Sequence, residues 1–74
     1  MMYQLEVITE INAEYGVVTF KGLGADGNVY TVKGTKNHIE RLIDMKVKKG
    51  SLIVVRAQKN VRNELLLCKV FNVI

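Results

Sequence analysis

The sequence has no proline, one cysteine and one histidine among its 74 residues. Without proline, no strand is interrupted by a missing backbone donor. A single cysteine excludes an intrachain disulfide, and with it a disulfide-stapled secreted mini-protein. His38 and Cys68 cannot supply the four closely placed ligands of a structural zinc site. Cys68 lies in the apolar run Leu65-Leu66-Leu67-Cys68 and reads as a small core or strand residue. A Cys–His nucleophilic pair has no local support. No apolar run approaches the ~18 residues of a membrane-spanning helix. The opening Met1-Met2-Tyr3-Gln4-Leu5-Glu6 lacks the basic and apolar regions of a signal peptide. A soluble, cytoplasmic protein is the expectation. The length leaves no room for a conventional catalytic domain, and no cofactor or metal site is expected.

What remains is an ordinary globular composition. Apolar residues make up 49% of the chain, enough to argue against extended disorder. A domain of this size buries only about 60% of its unfolded surface, so one small core is expected over residues 1–74. Net charge is +4 and the pI is near 9.4. That balance favours polyanionic partners without specifying one.

Hydrophobic periodicity orders the chain. Tyr3, Leu5, Val7, Thr9 and Ile11 alternate along one face, which predicts a half-buried strand. Asn12-Ala13-Glu14 reads as turn material. Gly16 to Lys21 is rich in β-branched and aromatic residues and predicts a second strand. Gly22 to Gly27 breaks it, with Asp26-Gly27 suited to a tight turn. Asn28 to Lys33 predicts a third strand. The period then changes. Asn37 with Glu40 has the form of a capping box, and Ile39, Leu42 and Ile43 fall at helical spacing. A helix over roughly residues 38–45 follows, too short to stand without docking. Ser51 to Ala57 predicts a fourth strand, Gln58 to Asn63 a polar loop, and Glu64 to Ile74 a fifth strand. Phe20 and Phe71 are assigned to the core. The fold class is all-β: a small five-stranded OB-like barrel with one short helix between strands three and four. An SH3-like barrel is the main rival.

Charge is unevenly placed. Residues 1–14 carry Glu6, Glu10 and Glu14 and no basic side chain. Spacing of that kind on a strand and turn is common in solvated faces and does not define a catalytic carboxylate pair. Residues 33–62 carry nine basic side chains against Glu40 and Asp44 alone. Lys46, Lys48 and Lys49 are consistent with simple solvation of the helix exit. Arg41 is expected to pair with Asp44 or Glu40 along the helix. Lys33, Arg56, Lys59 and Arg62 lie on or beside strands three and four and the loop between four and five, and such barrels bind with strands two and three and the loops that overhang them. They are the candidate phosphate contacts. Tyr15 and Tyr30 are the candidate stacking rings, although five aromatic residues in all make a poor platform for single strands. Phosphate contact with a duplex needs fewer rings.

Tyr15-Gly16-Val17-Val18 and Asp26 through Gly34 resemble the start of the OB domain that closes ATP-dependent DNA ligases. In that domain a strand pair ends in a similar basic-glycine step before a short helix. Val47 through Val55 resembles its glycine followed by a hydrophobic strand, and Phe71-Asn72-Val73-Ile74 its last strand. The likeness spans residues 15–74. It implies an OB barrel and contact with a duplex or nick. It implies no catalysis, because Gly24-Ala25-Asp26-Gly27 has glycine where the ligase Lys-x-Asp-Gly motif has its nucleophile. No counterpart of the charged motif that ends the ligase OB domain is present up to Ile74. The expected function is a small non-catalytic nucleic-acid-binding module for DNA or RNA. The alternative is a protein-interaction module: an adaptor, an inhibitor or a homodimerising barrel.

Overall fold

The computed structural model describes residues 1–74. Six strands and one helix follow in order: β1 (Met2–Val7), β2 (Asn12–Glu14), β3 (Val17–Gly24), β4 (Val29–Thr35), α1 (Lys36–Asp44), β5 (Leu52–Asn60) and β6 (Glu64–Val73). A short 3₁₀ turn, Val61–Asn63, joins the last two strands. The sheet runs β1-β5-β6-β4-β3-β2, and β1 also pairs with β3. That second pairing closes β1, β3, β4, β6 and β5 into a barrel, with the short β2 outside the ring. All pairings are antiparallel except β4 with β6, which run parallel from Thr31↔Glu64 to Lys33↔Leu66. An all-β, five-stranded closed barrel with one short helix before its last two strands is an OB-like fold. Closure removes the free edges of the five ring strands and leaves only the short β2 with an open edge.

Alternation of side chains builds the core. Leu5 and Val7 of β1, Val18 and Phe20 of β3, Tyr30 and Val32 of β4 all point inward. Ile53, Val55 and Ala57 of β5 join Leu65, Leu67 and Val70 of β6. The inward run of β6 changes parity at Cys68 because a bulge falls there: Arg56 faces Lys69, but Ala57 faces Leu67. Cys68 is therefore pushed to the surface. Its expected core position is corrected, and Phe71 is only half-buried.

Two other boundaries differ from the sequence reading. Asn12–Glu14 is a strand, paired from Asn12↔Thr19 to Glu14↔Val17. The turn lies one step later, where Tyr15 (φ 52°) and Gly16 (φ 76°) both take left-handed backbone. That is the signature of a tight hairpin turn, carried here by Tyr-Gly rather than Asn-Gly. The helix begins at Lys36 and its N-cap is Thr35, not Asn37. His38 stands in for the expected glutamate. The Thr35 N–H donates to His38 Nδ1 at 2.9 Å. With Nδ1 an acceptor, the Nε2–H faces the Cys68 carbonyl at 3.1 Å. One imidazole thus ties the first turn of α1 to β6. Arg41 also reaches β6 rather than a helix carboxylate, donating to the carbonyls of Val70 and Phe71 at 3.2 Å each.

Gly34 makes this docking possible. A Cβ there would lie 2.9 Å from Val18 Cγ1 and 3.0 Å from His38 Cβ and Nδ1. Gly34→Ala should therefore cost about 1–3 kcal/mol, by overpacking a site pinned by two hydrogen bonds. Urea denaturation measures it, and an unchanged midpoint would mean that the helix is free to shift.

Candidate nucleic-acid interface

The outward residues of four neighbouring strands form one continuous face. Their register sets them in rows. Lys21 of β3 lies opposite Thr31 of β4, Thr31 opposite Glu64 of β6, and Glu64 opposite Asn60 of β5. The next row runs Thr19, Lys33, Leu66, Gln58. Further along, Arg56 and Lys69 face each other across β5 and β6. Lys21, Lys33, Arg56 and Lys69 are all exposed.

Two turns bracket the β3–β4 part of this face. At one end stands the β2–β3 hairpin, with Tyr15 fully exposed beside the Val17↔Thr35 pair. At the other end the Val61–Asn63 turn lies against β4. Arg62 and Asn63 there both have φ 57°. Left-handed backbone at two successive non-glycine residues is unusual. The Asn60 side chain supports it, accepting from the Val61 N–H at 2.9 Å and donating to Glu64 at 3.3 Å.

Electrostatics distinguish these basic groups. The chain's only ion pair joins Lys33 Nζ to Glu64 at 3.0 Å. Its hydrogen bond holds the Glu64 carboxyl below the usual carboxylate range. Arg56 and Lys69 have no carboxylate partner. Lys69 Nζ instead sits 5.0 Å from the Phe71 ring centroid. Like charges directly opposite in a sheet destabilise it.

The six residues singled out in the sequence do not gather at one place. Lys33 and Arg56 share the outer face. Tyr15 and Arg62 lie at its two ends. Lys59 has the inward parity of β5 and reaches the end of the barrel, its Nζ 6.0 Å from the Tyr30 ring. Tyr30 itself is 2% exposed. Its ring packs edge-on against Tyr3 at 5.6 Å, and its phenol donates to Asp26. That hydrogen bond holds the Asp26 carboxyl below its ordinary range and pushes the Tyr30 phenol up. Tyr30 thus serves the core and the Asp26-Gly27 turn, and offers no open ring face for stacking. Lys21 and Lys69 were missed in the sequence. Outward parity beside Thr19 could have revealed Lys21, but the bulge at Cys68 conceals Lys69.

No group of three or more His, Cys, Asp or Glu side chains is placed to hold a metal ion. No helix is long and apolar enough to cross a membrane. Compared with known proteins, the chain matches no family model, no curated protein and no solved structure. The fold is OB-like by its topology alone, and no homology supports descent from the ligase domain in particular.

Proposed function

We propose that the protein is a non-catalytic nucleic-acid-binding OB module, acting as one domain over residues 1–74. It holds phosphates against the outer face of β3, β4, β6 and β5. The observation that carries this reading is the unpaired Arg56–Lys69 couple on that face. A phosphate seated between them replaces mutual repulsion with two charge-assisted hydrogen bonds. Lys33 and Lys21 extend the same track, and Arg62 closes one end. Lys59 contributes from the barrel end. Tyr15 is the one fully exposed ring on this bracket, so stacking plays a small part and sequence preference is weak. Likeness to the ligase OB domain favours a duplex. An apolar groove between β2 and α1, lined by residues such as Ala13, Ile39 and Ile43, favours a protein partner as a second reading.

Fluorescence anisotropy with labelled single- and double-stranded oligonucleotides tests the proposal. Micromolar-range binding is expected at low salt. Three or four neutralised phosphates should give a slope of about −3 in log affinity against log salt. If neither form binds at low salt, the nucleic-acid reading fails and the protein-partner reading replaces it.

A further inference from the structure

A second surface lies away from the basic face. Between β2 and α1 runs a groove of about 250 Å³ whose seven lining residues are all apolar. Val18 and Leu42 are its floor, and both are buried. Its walls include Ile11 and Ala13 on one side, Ile39 and Ile43 on the other. Ile43 remains 69% exposed although it sits on the apolar stripe of the helix.

The strand beside this groove has a free edge. β2 ends the sheet and pairs only with β3. Its side chains alternate between two concavities. Ala13 lines the apolar groove. Asn12 and Glu14 line a shallower one with Thr19. An added strand would continue this alternation, with every second side chain entering the apolar groove and the others lying beside Asn12 and Glu14.

Charge around the groove selects the occupant. Glu10, Glu14, Glu40 and Asp44 each directly adjoin a lining residue in sequence. All four are exposed and none has a basic partner. Arg41, Lys46 and Lys48 adjoin lining residues as well, but Arg41 is turned to the β6 carbonyls of Val70 and Phe71, which leaves the two lysines to oppose them. Carboxylates thus outnumber the free basic groups here, on a chain whose net charge is +4, and Glu14 lies on the side of β2 where the alternate side chains of an added strand fall. A second copy pairing β2 antiparallel about Ala13 would set Glu14 of each chain diagonally across from Glu10 of the other, like charges on one face. We infer that the β2 edge and its groove take an extended segment of a protein partner in which apolar residues alternate with lysine or arginine. The backbone adds to β2, apolar side chains fill the groove, and the basic ones meet Glu14 and its acidic neighbours.

The test is an amide NMR titration with a short capped peptide alternating lysine and valine, alongside its glutamate–valine counterpart. The lysine peptide should shift the amides of Asn12, Ala13 and Glu14 together with those of Ile39, Ile43 and Val47. Ile43→Lys should weaken binding roughly tenfold or more. Because Ile43 is exposed, its spectrum should stay dispersed; Ala13→Lys, on the exposed strand, gives a second variant with the same expectation. Net charge alone would favour the glutamate peptide, so equal or tighter binding of that peptide overturns the inference. Shifts confined to other elements, or none at millimolar peptide, overturn it as well. Shifts of the β2 amides with protein concentration alone would assign the edge to a second copy instead.

Discussion

Leu42→Ala should lower stability by about 2–5 kcal/mol, the ordinary cost of emptying a buried leucine site. Leu42 is the only buried residue of α1. It is 2% exposed and belongs to the same cluster as Val18, Ile53 and Leu65. A nine-residue helix has little stability of its own. It persists because Leu42, the His38 bridge and the Arg41 hydrogen bonds hold it against the barrel. A domain of this length has roughly 4–11 kcal/mol in total, so the single substitution removes a large fraction. Ile43→Ala on the next position is the control. Its side chain is largely in solvent, and its cost should stay within about 0.5 kcal/mol. Urea denaturation of both variants decides the matter. A Leu42 cost below about 0.5 kcal/mol, or equal costs at the two positions, would mean that the helix packs through another face.

Reversing Arg56 and Lys69 to glutamate should weaken oligonucleotide binding on the order of 100-fold. Two phosphate contacts are lost, and two carboxylates are set against the phosphate track. The fold should tolerate the change, since both side chains are exposed and neither holds an ion pair. Their mutual repulsion is unchanged, since one like-charge couple replaces another. Reversing Lys46 and Lys49, which flank the exit of α1, leaves net charge equally reduced. That second variant should bind within about threefold of the parent at moderate salt, where distant charges are screened. Anisotropy at matched ionic strength measures both. Equal losses in the two variants would show that charge acts diffusely and that the outer face is not a site.

The barrel was legible because its signals are local. Period two in Tyr3-to-Val7 states which side chains enter the core, and β-branched and aromatic residues mark Gly16 to Lys21 as a strand. The shift to helical spacing at Ile39, Leu42 and Ile43 marks the one helix. Boundaries were less legible wherever a side chain replaced a customary signal. Tyr15-Gly16 turns the chain as Asn-Gly would, so β2 was hidden inside a supposed turn. His38 caps α1 through its ring nitrogen, a role that the sequence offered to Glu40. The loop before β6 shrank because β5 keeps its pairing through Asn60↔Glu64.

The candidate site was harder to read for a different reason. It is made by register between strands distant in sequence, and register is not written in any one segment. Arg56 and Lys69 became neighbours only through the bulge at Cys68. Lys33 proved to be engaged by Glu64, and Lys59 turned toward the barrel end by one step of parity. Tyr30 is buried because Val29 and Thr31 take the outward positions, an alternation that Asn28-Val29-Tyr30-Thr31 leaves undecided.

Amide NMR mapping with a short DNA duplex at low salt addresses the central proposal most directly. The account predicts shifts concentrated at Lys21, Lys33, Arg56 and Lys69 and at the two bracketing turns, around Tyr15 and Arg62. The amides of β2's partner-free edge and of Ile39 and Ile43 should stay where they are. Shifts spread evenly over the surface, or gathered at Lys46, Lys48 and Lys49 instead, would contradict it.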